Sequence, residues 1–106
     1  MFSIPINIAE FGSCRYDAAF PKLEFGSDEQ KTNKDVVLQW TVVCLWRAPE
    51  QRTTEIINIT VPMKQDPSEV LQPGDEIGFK DFKLYCGETN GKKWYSFSAA
   101  GIGKRK

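Results

Sequence analysis

Residues 71–102 read LQPGDEIGFKDFKLYCGETNGKKWYSFSAAGI, two strand-length segments joined at Asn90-Gly91. Asn-Gly accepts positive φ at both positions, which a two-residue hairpin turn requires. The arms of this hairpin interleave lysines with aromatics: Lys83, Tyr85, Lys92, Lys93, Trp94, Tyr95 and Phe97. In the first arm Ile77 and Phe79 alternate in step, whereas Phe82 and Leu84 fall one residue out of step. A bulge near Lys80-Asp81 would return both pairs to one face and curl the strand.

Upstream, residues 36–46 (VVLQWTVVCLW) place Leu38, Trp40, Val42, Cys44 and Trp46 on one face and Val37, Gln39, Thr41, Val43 and Leu45 on the other. Both faces are largely apolar, so this strand is expected at the centre of a sheet. Residues 54–63 (TEIINITVPM) form the next strand, with Ile57, Ile59, Val61 and Met63 opposed to Ile56, Asn58 and Thr60. Residues 13–25 supply an earlier strand, bent or ended at Pro21. Asp66 can cap a short helical turn over 67–71 that opens with Pro67. The polar run 26–35 and the segment 47–53 read as loops. Pro5 confines residues 1–12 to an extended arm or an edge strand. The expected organisation is an arm (1–12), one domain (13–102) and a mobile basic tail (103–106).

Five main strands with a short helix between the third and fourth suit a small all-β barrel. That helix position is the one found in the oligonucleotide-binding (OB) fold. The expected fold is therefore a five-stranded OB-fold-like barrel with one short helix between strands three and four.

The bulk numbers narrow the function. The 106 residues carry 14 basic and 14 acidic side chains and no histidine. Zero net charge argues against coating nucleic acid by charge alone, though a neutral domain can carry a local basic face. The absence of histidine removes the commonest general base and zinc ligand, and an enzyme is not expected. Cys14, Cys44 and Cys86 are too few and too widely spaced for a disulfide framework or a zinc site; they fit a reducing, cytoplasmic setting. Cys44 and Cys86 lie in apolar strand patterns and are expected to be buried. No secretory leader or membrane-spanning segment is read, and no cofactor or metal is expected.

VLQWTVVCLW, TEIINITVP and the 71–102 segment together resemble, in order, the second to fifth strands of bacterial single-stranded DNA-binding proteins. The resemblance covers roughly residues 13–102. It implies an OB domain that binds single-stranded DNA and often assembles through edge strands into homo-oligomers. It departs at the C-terminus, where Gly103-Lys104-Arg105-Lys106 stands in place of a long tail with an acidic, apolar tip. Partner recruitment through such a tail is not expected. A narrower similarity links KTNKD running into LQWTV, with the closing WYSFSAAGI, to actinobacterial activators of plasmid replication, integration and excision. It implies a mobile-element accessory protein with replication or transfer proteins as further partners.

Single strands are gripped by rings that stack on unpaired bases and cations that neutralise phosphates. The candidates for that work are Arg15, Tyr16, Trp40, Trp46, Arg47, Arg52, Lys83, Tyr85, Lys92, Lys93 and Trp94. Each has a plainer reading. Trp40 suits the core, and Trp46 at its strand end suits either core or surface. Tyr85 and Trp94 suit a cross-strand pair that steadies the hairpin, and the scattered cations suit simple solvation. Asp28-Glu29, Asp35 and Asp75-Glu76 lack metal-ligand spacing and read as solvated loops. The alternative function is an OB-like protein-interaction module that binds no nucleic acid.

Overall fold

Two-sided apolar patterning makes Gln39–Arg47 (β3) a central strand of the larger of two sheets. The computed structural model describes residues 2–23, 30, 32 and 37–105. Besides β3 these form β1 (Phe2–Pro5), a single helical turn α1 (Ile8–Phe11), β2 (Ser13–Pro21) and β4 (Glu55–Pro62). There follow a 3-10 turn (Pro67–Glu69), β5 (Ile77–Lys80), β6 (Lys83–Thr89), β7 (Lys92–Ser98) and β8 (Gly101–Lys104). The larger sheet has the order β1-β6-β7-β4-β3-β2, and β5 pairs with β8 in a second. All neighbours are antiparallel except β4 and β7, which run parallel.

Two local expectations are met by specific geometry, whereas Cys86, expected to be buried, is half-buried and the arm over 1–12 contains the α1 turn. Asn90 and Gly91 have φ of 52° and 79° and close the β6–β7 hairpin. Asp66 caps the 3-10 turn, its carboxylate accepting from the Ser68 N–H at 2.9 Å. In place of a bulge within one strand near Lys80-Asp81, the strand breaks: β5 ends at Lys80, Asp81 has φ of 51°, and β6 starts at Lys83 in the other sheet. The break is matched on the partner arm at Ala99-Ala100, where the Ala100 N–H donates to the Lys80 carbonyl at 2.8 Å. The loop read over 26–35, with Asp28-Glu29 and Asp35, lies outside the described residues apart from Gln30 and Thr32.

The all-β class is observed, but closure into a five-stranded barrel is not. The paired breaks divide the long hairpin into β6–β7, which stays in the large sheet, and β5–β8, which forms the small one. The sheets meet at β2 through an isolated Arg15–Glu76 bridge. Tyr16 N–H donates to Asp75 C=O, and Gly74 N–H to Tyr16 C=O, both at 2.8 Å. The end of the chain also differs from expectation. Gly103 and Lys104 belong to β8, and Lys104 and Arg105 pair with Asp75 and Glu76 at 3.6 and 3.7 Å.

The core lies between the sheets and contains Cys14, Tyr16, Val42, Cys44, Ile59, Val61, Leu71, Ile77, Phe82 and Ala99. Phe11 caps it, its ring stacked on Trp46 at 4.5 Å and edge-on to Phe82 at 5.1 Å. Burial pushes the thiols of Cys14 and Cys44 from the ordinary 9.0 up to about 12. The unfolded chain therefore releases these protons at lower pH than the folded one. This contribution is complete below about pH 9 and is lost as pH rises toward 12, by at most about 1.4 kcal/mol per unit for each thiol. Urea titrations at pH 8 and pH 10.5 are expected to show the midpoint falling at the higher pH, and replacing both cysteines by alanine should flatten that dependence.

Candidate nucleic-acid interface

Strand register sorts the candidates by face. Cross-strand partners project to the same side. Trp40 pairs with Val61, Val42 with Ile59, Cys44 with Ile57, and Tyr16 with Cys44. Tyr16 is 2% and Trp40 7% exposed, so neither presents a ring for stacking. The Trp40 indole N–H donates to the Met63 carbonyl at 3.0 Å. The Tyr16 hydroxyl has no hydrogen-bond partner among the described residues, and burial raises its pKa. Trp46 donates to the Phe11 carbonyl at 2.7 Å and is covered by the Phe11 ring. These three rings have inward parity on β2 and β3 and are engaged by the core, Met63 and Phe11 respectively.

The outer face of the large sheet holds Arg15, Arg47, Lys83, Tyr85, Lys92 and Trp94. Arg15 pairs with Leu45 and Ser13 with Arg47, so the two arginines are diagonal neighbours. They line one hollow of about 200 Å³ with Ser13, Leu45 and Thr54. Arg15 Nη1 donates to the Gly74 carbonyl and Arg47 Nη2 to Thr54 Oγ1, each at 3.0 Å, which holds both guanidiniums in place. Toward the other edge, Lys83 sits opposite Ser98, Tyr85 opposite Ser96, and Lys92 opposite Thr89. Lys22 also reaches this face, its Nζ donating to Thr60 Oγ1 at 3.0 Å.

Trp94 lies opposite Gly87, and a Cβ added to Gly87 would collide with the indole. The glycine lets the ring lie down against the backbone of β6. The indole N–H donates to Thr89 Oγ1 at 3.2 Å, and 38% of the residue stays exposed. Lys93 pairs with Glu88 on the opposite side of the hairpin, and Arg52 is exposed in the β3–β4 loop. Lys93 therefore does not share the face of the others, and Arg52 belongs to no strand ladder.

The balance of charge is the informative property of this face. Reading the outward positions along the ladders of β1, β2, β3, β4, β6 and β7 gives Arg15, Arg47, Lys83 and Lys92; a carboxylate on the same side is Glu76, the bridge partner of Arg15, which also pairs with Arg105 at 3.7 Å. Of the other described acids on or beside these strands, Glu55 and Glu88 have the opposite parity, Asp17 is exposed at the β2 bulge, and Asp75 pairs with Lys104. Cations thus outnumber carboxylates among the described residues of this face. From β2 to β6 the face crosses four inter-strand steps, on the order of 20 Å.

Two residues outside the candidate set are the most exposed large side chains among the described apolar residues: Ile56 has outward parity, whereas Tyr95 has the inward parity of Phe97 and no sequence signal marked it. Tyr95 is 72% and Ile56 71% exposed. Cys86 is half-buried and all three cysteines are free. Among the described residues no group of acids, cysteines and histidines could hold a metal ion, and no helix is long and apolar enough to cross a membrane. No family model matches the chain, and no curated protein or solved structure matches it.

Proposed function

We propose that this protein binds single-stranded DNA across the outer face of the large sheet and acts by binding rather than catalysis. The observation that carries this reading is the face itself, where Arg15, Lys22, Arg47, Lys83 and Lys92 outnumber the carboxylates and the rings of Phe20, Tyr85 and Trp94 reach the surface, on a chain of zero net charge. Arg15 and Arg47 at one end and Lys83 and Lys92 at the other would take phosphates, while Trp94 and Tyr85 would stack on unpaired bases.

The OB reading is supported by chain order. β2, β3 and β4 form a meander, the 3-10 turn follows, and a bent hairpin returns β7 parallel to β4. The mobile-element context, with replication or transfer proteins as partners, is supported by the likeness of the KTNKD, LQWTV and WYSFSAAGI segments. The free thiols fit a cytoplasmic setting. A homo-oligomer would extend the large sheet at β1, its terminal strand.

A tryptophan titration tests the reading. Trp40 and Trp46 are engaged internally, so quenching by an oligonucleotide should come from Trp94. Trp94→Phe is expected to remove most of the quench while keeping a ring to stack, and Trp94→Ala to weaken binding by roughly 1–3 kcal/mol. A quench that persists in Trp94→Phe would contradict the assigned face. The exposed Ile56 and Phe20, 71% and 57%, favour a second reading in which this face meets another protein. Recovery of a protein partner with no mobility shift at low salt would select it.

A further inference from the structure

β4 and β7 pair only at Ile59–Phe97 and Thr60–Ser98. Earlier in both strands, 55–58 and 93–96 stay in register with β3 and β6 but form no ladder with each other. Between them opens a cleft of about 320 Å³ lined by Ile56, Ile57, Asn58, Tyr95, Ser96 and Phe97. Tyr95 and Ile56 at this cleft are the most exposed large apolar side chains among the described residues.

We propose that this cleft is a slot for one unpaired nucleobase, adenine by preference. The inference rests on the single-stranded DNA reading above. The cleft supplies what a base needs: Ile56, Asn58 and Ser96 line it with outward parity as an aliphatic surface and polar groups, and Tyr95, of inward parity, offers a ring from the other side of the gap. The Asn58 amide carries both a donor and an acceptor, the pattern that matches the amino group and ring nitrogen of adenine. No carboxylate lines the cleft to repel the flanking phosphates. A strand running between the arginine pair on β2 and β3 and the lysines of the hairpin has to cross it.

Shape argues against an extended peptide as the occupant. Inserting a strand between β4 and β7 needs two inter-strand spacings, about 9.6 Å, over several residues. The two strands instead converge to direct pairing at Ile59–Phe97. A wedge of that form admits one flat ring at its mouth.

The test is fluorescence anisotropy with labelled oligo-dT carrying one central dA, dC, dG or dT, on the native chain and on Asn58→Ala. Asn58 is exposed, so the variant is expected to fold. The native chain should bind the central-dA oligonucleotide at least about fivefold more tightly than the others. Asn58→Ala should lose that preference while keeping its affinity for plain oligo-dT within about twofold. Equal binding of all four by the native chain, or a preference that survives in Asn58→Ala, overturns the slot and leaves the DNA-binding face standing. No binding of any oligonucleotide at low salt overturns both.

Discussion

R47E/K83E is expected to lose at least about 100-fold in affinity for single-stranded DNA at low salt. Arg47 and Lys83 stand on opposite sides of the proposed path, and each reversal replaces a phosphate contact with repulsion. At roughly tenfold per contact the two together account for that loss. Salt dependence gives a second, independent reading. Four contacting cations predict a log–log slope of affinity against salt near −3, at about 0.7 per phosphate for a single strand. The double variant should flatten it by about 1.4. Both residues are on the outer face, so thermal stability should change little. A control reversal at Arg52, exposed in the β3–β4 loop, should cost much less. Equal losses at Arg52 and at the paired sites would mean that binding follows net charge and not this face.

Gly12→Ala is expected to be among the most destabilising single changes in the chain. Gly12 has φ of 114°, and a Cβ there would run into the Arg47 carbonyl oxygen, with the Ala48 Cα 2.9 Å away. Both obstacles are backbone and cannot swing aside. This residue turns the chain from α1 into β2 and so seats Phe11 on Trp46 at 4.5 Å. Backbone strain of about 1–3 kcal/mol, with partial loss of the aromatic contact at about 0.5–1.5, gives a total near 3 kcal/mol. For a domain of this size that lowers the melting temperature by roughly 10–20 °C. Gly91→Ala is the informative comparison. Its φ of 79° is also positive, but nothing lies within 4 Å of an added Cβ. It should cost about 1 kcal/mol. Similar losses at both positions would show that the contact with Arg47 and Ala48 is not the cause.

Features set by a few neighbouring residues were legible in the sequence. The Asn90-Gly91 turn, the Asp66 cap and the change of phase before Phe82 each depend on local backbone chemistry. Alternation also put Trp40 and Trp46 on one side of β3. It could not say which side was inward, because Val43 and Leu45 make the other side apolar too. Burial was decided by distant partners, Met63 for Trp40 and Phe11 for Trp46, that local patterning cannot place. Tyr16 followed the same logic, since its face was set by pairing with Cys44. The resting place of the Trp94 indole needed both the 87–94 register and the absence of a side chain at Gly87. Least legible was the gap between β4 and β7. It arises where two distant parallel strands stop pairing, and neither strand marks that point in its own residues. Lys104 and Arg105 looked like a free basic end because their partners, Asp75 and Glu76, lie far back in the chain.

The most direct test of the central claim is a heteronuclear NMR titration of the native chain with oligo-dT at low salt, following backbone and indole N–H signals. The predicted result is a contiguous set of shifts at Arg15, Leu45, Arg47, Lys83, Tyr85 and the Trp94 indole, with Trp40 and the β5–β8 sheet unmoved. Shifts confined to β5–β8 or to the Arg52 loop, or no shifts at saturating oligonucleotide, would contradict a binding surface on the outer face of the large sheet.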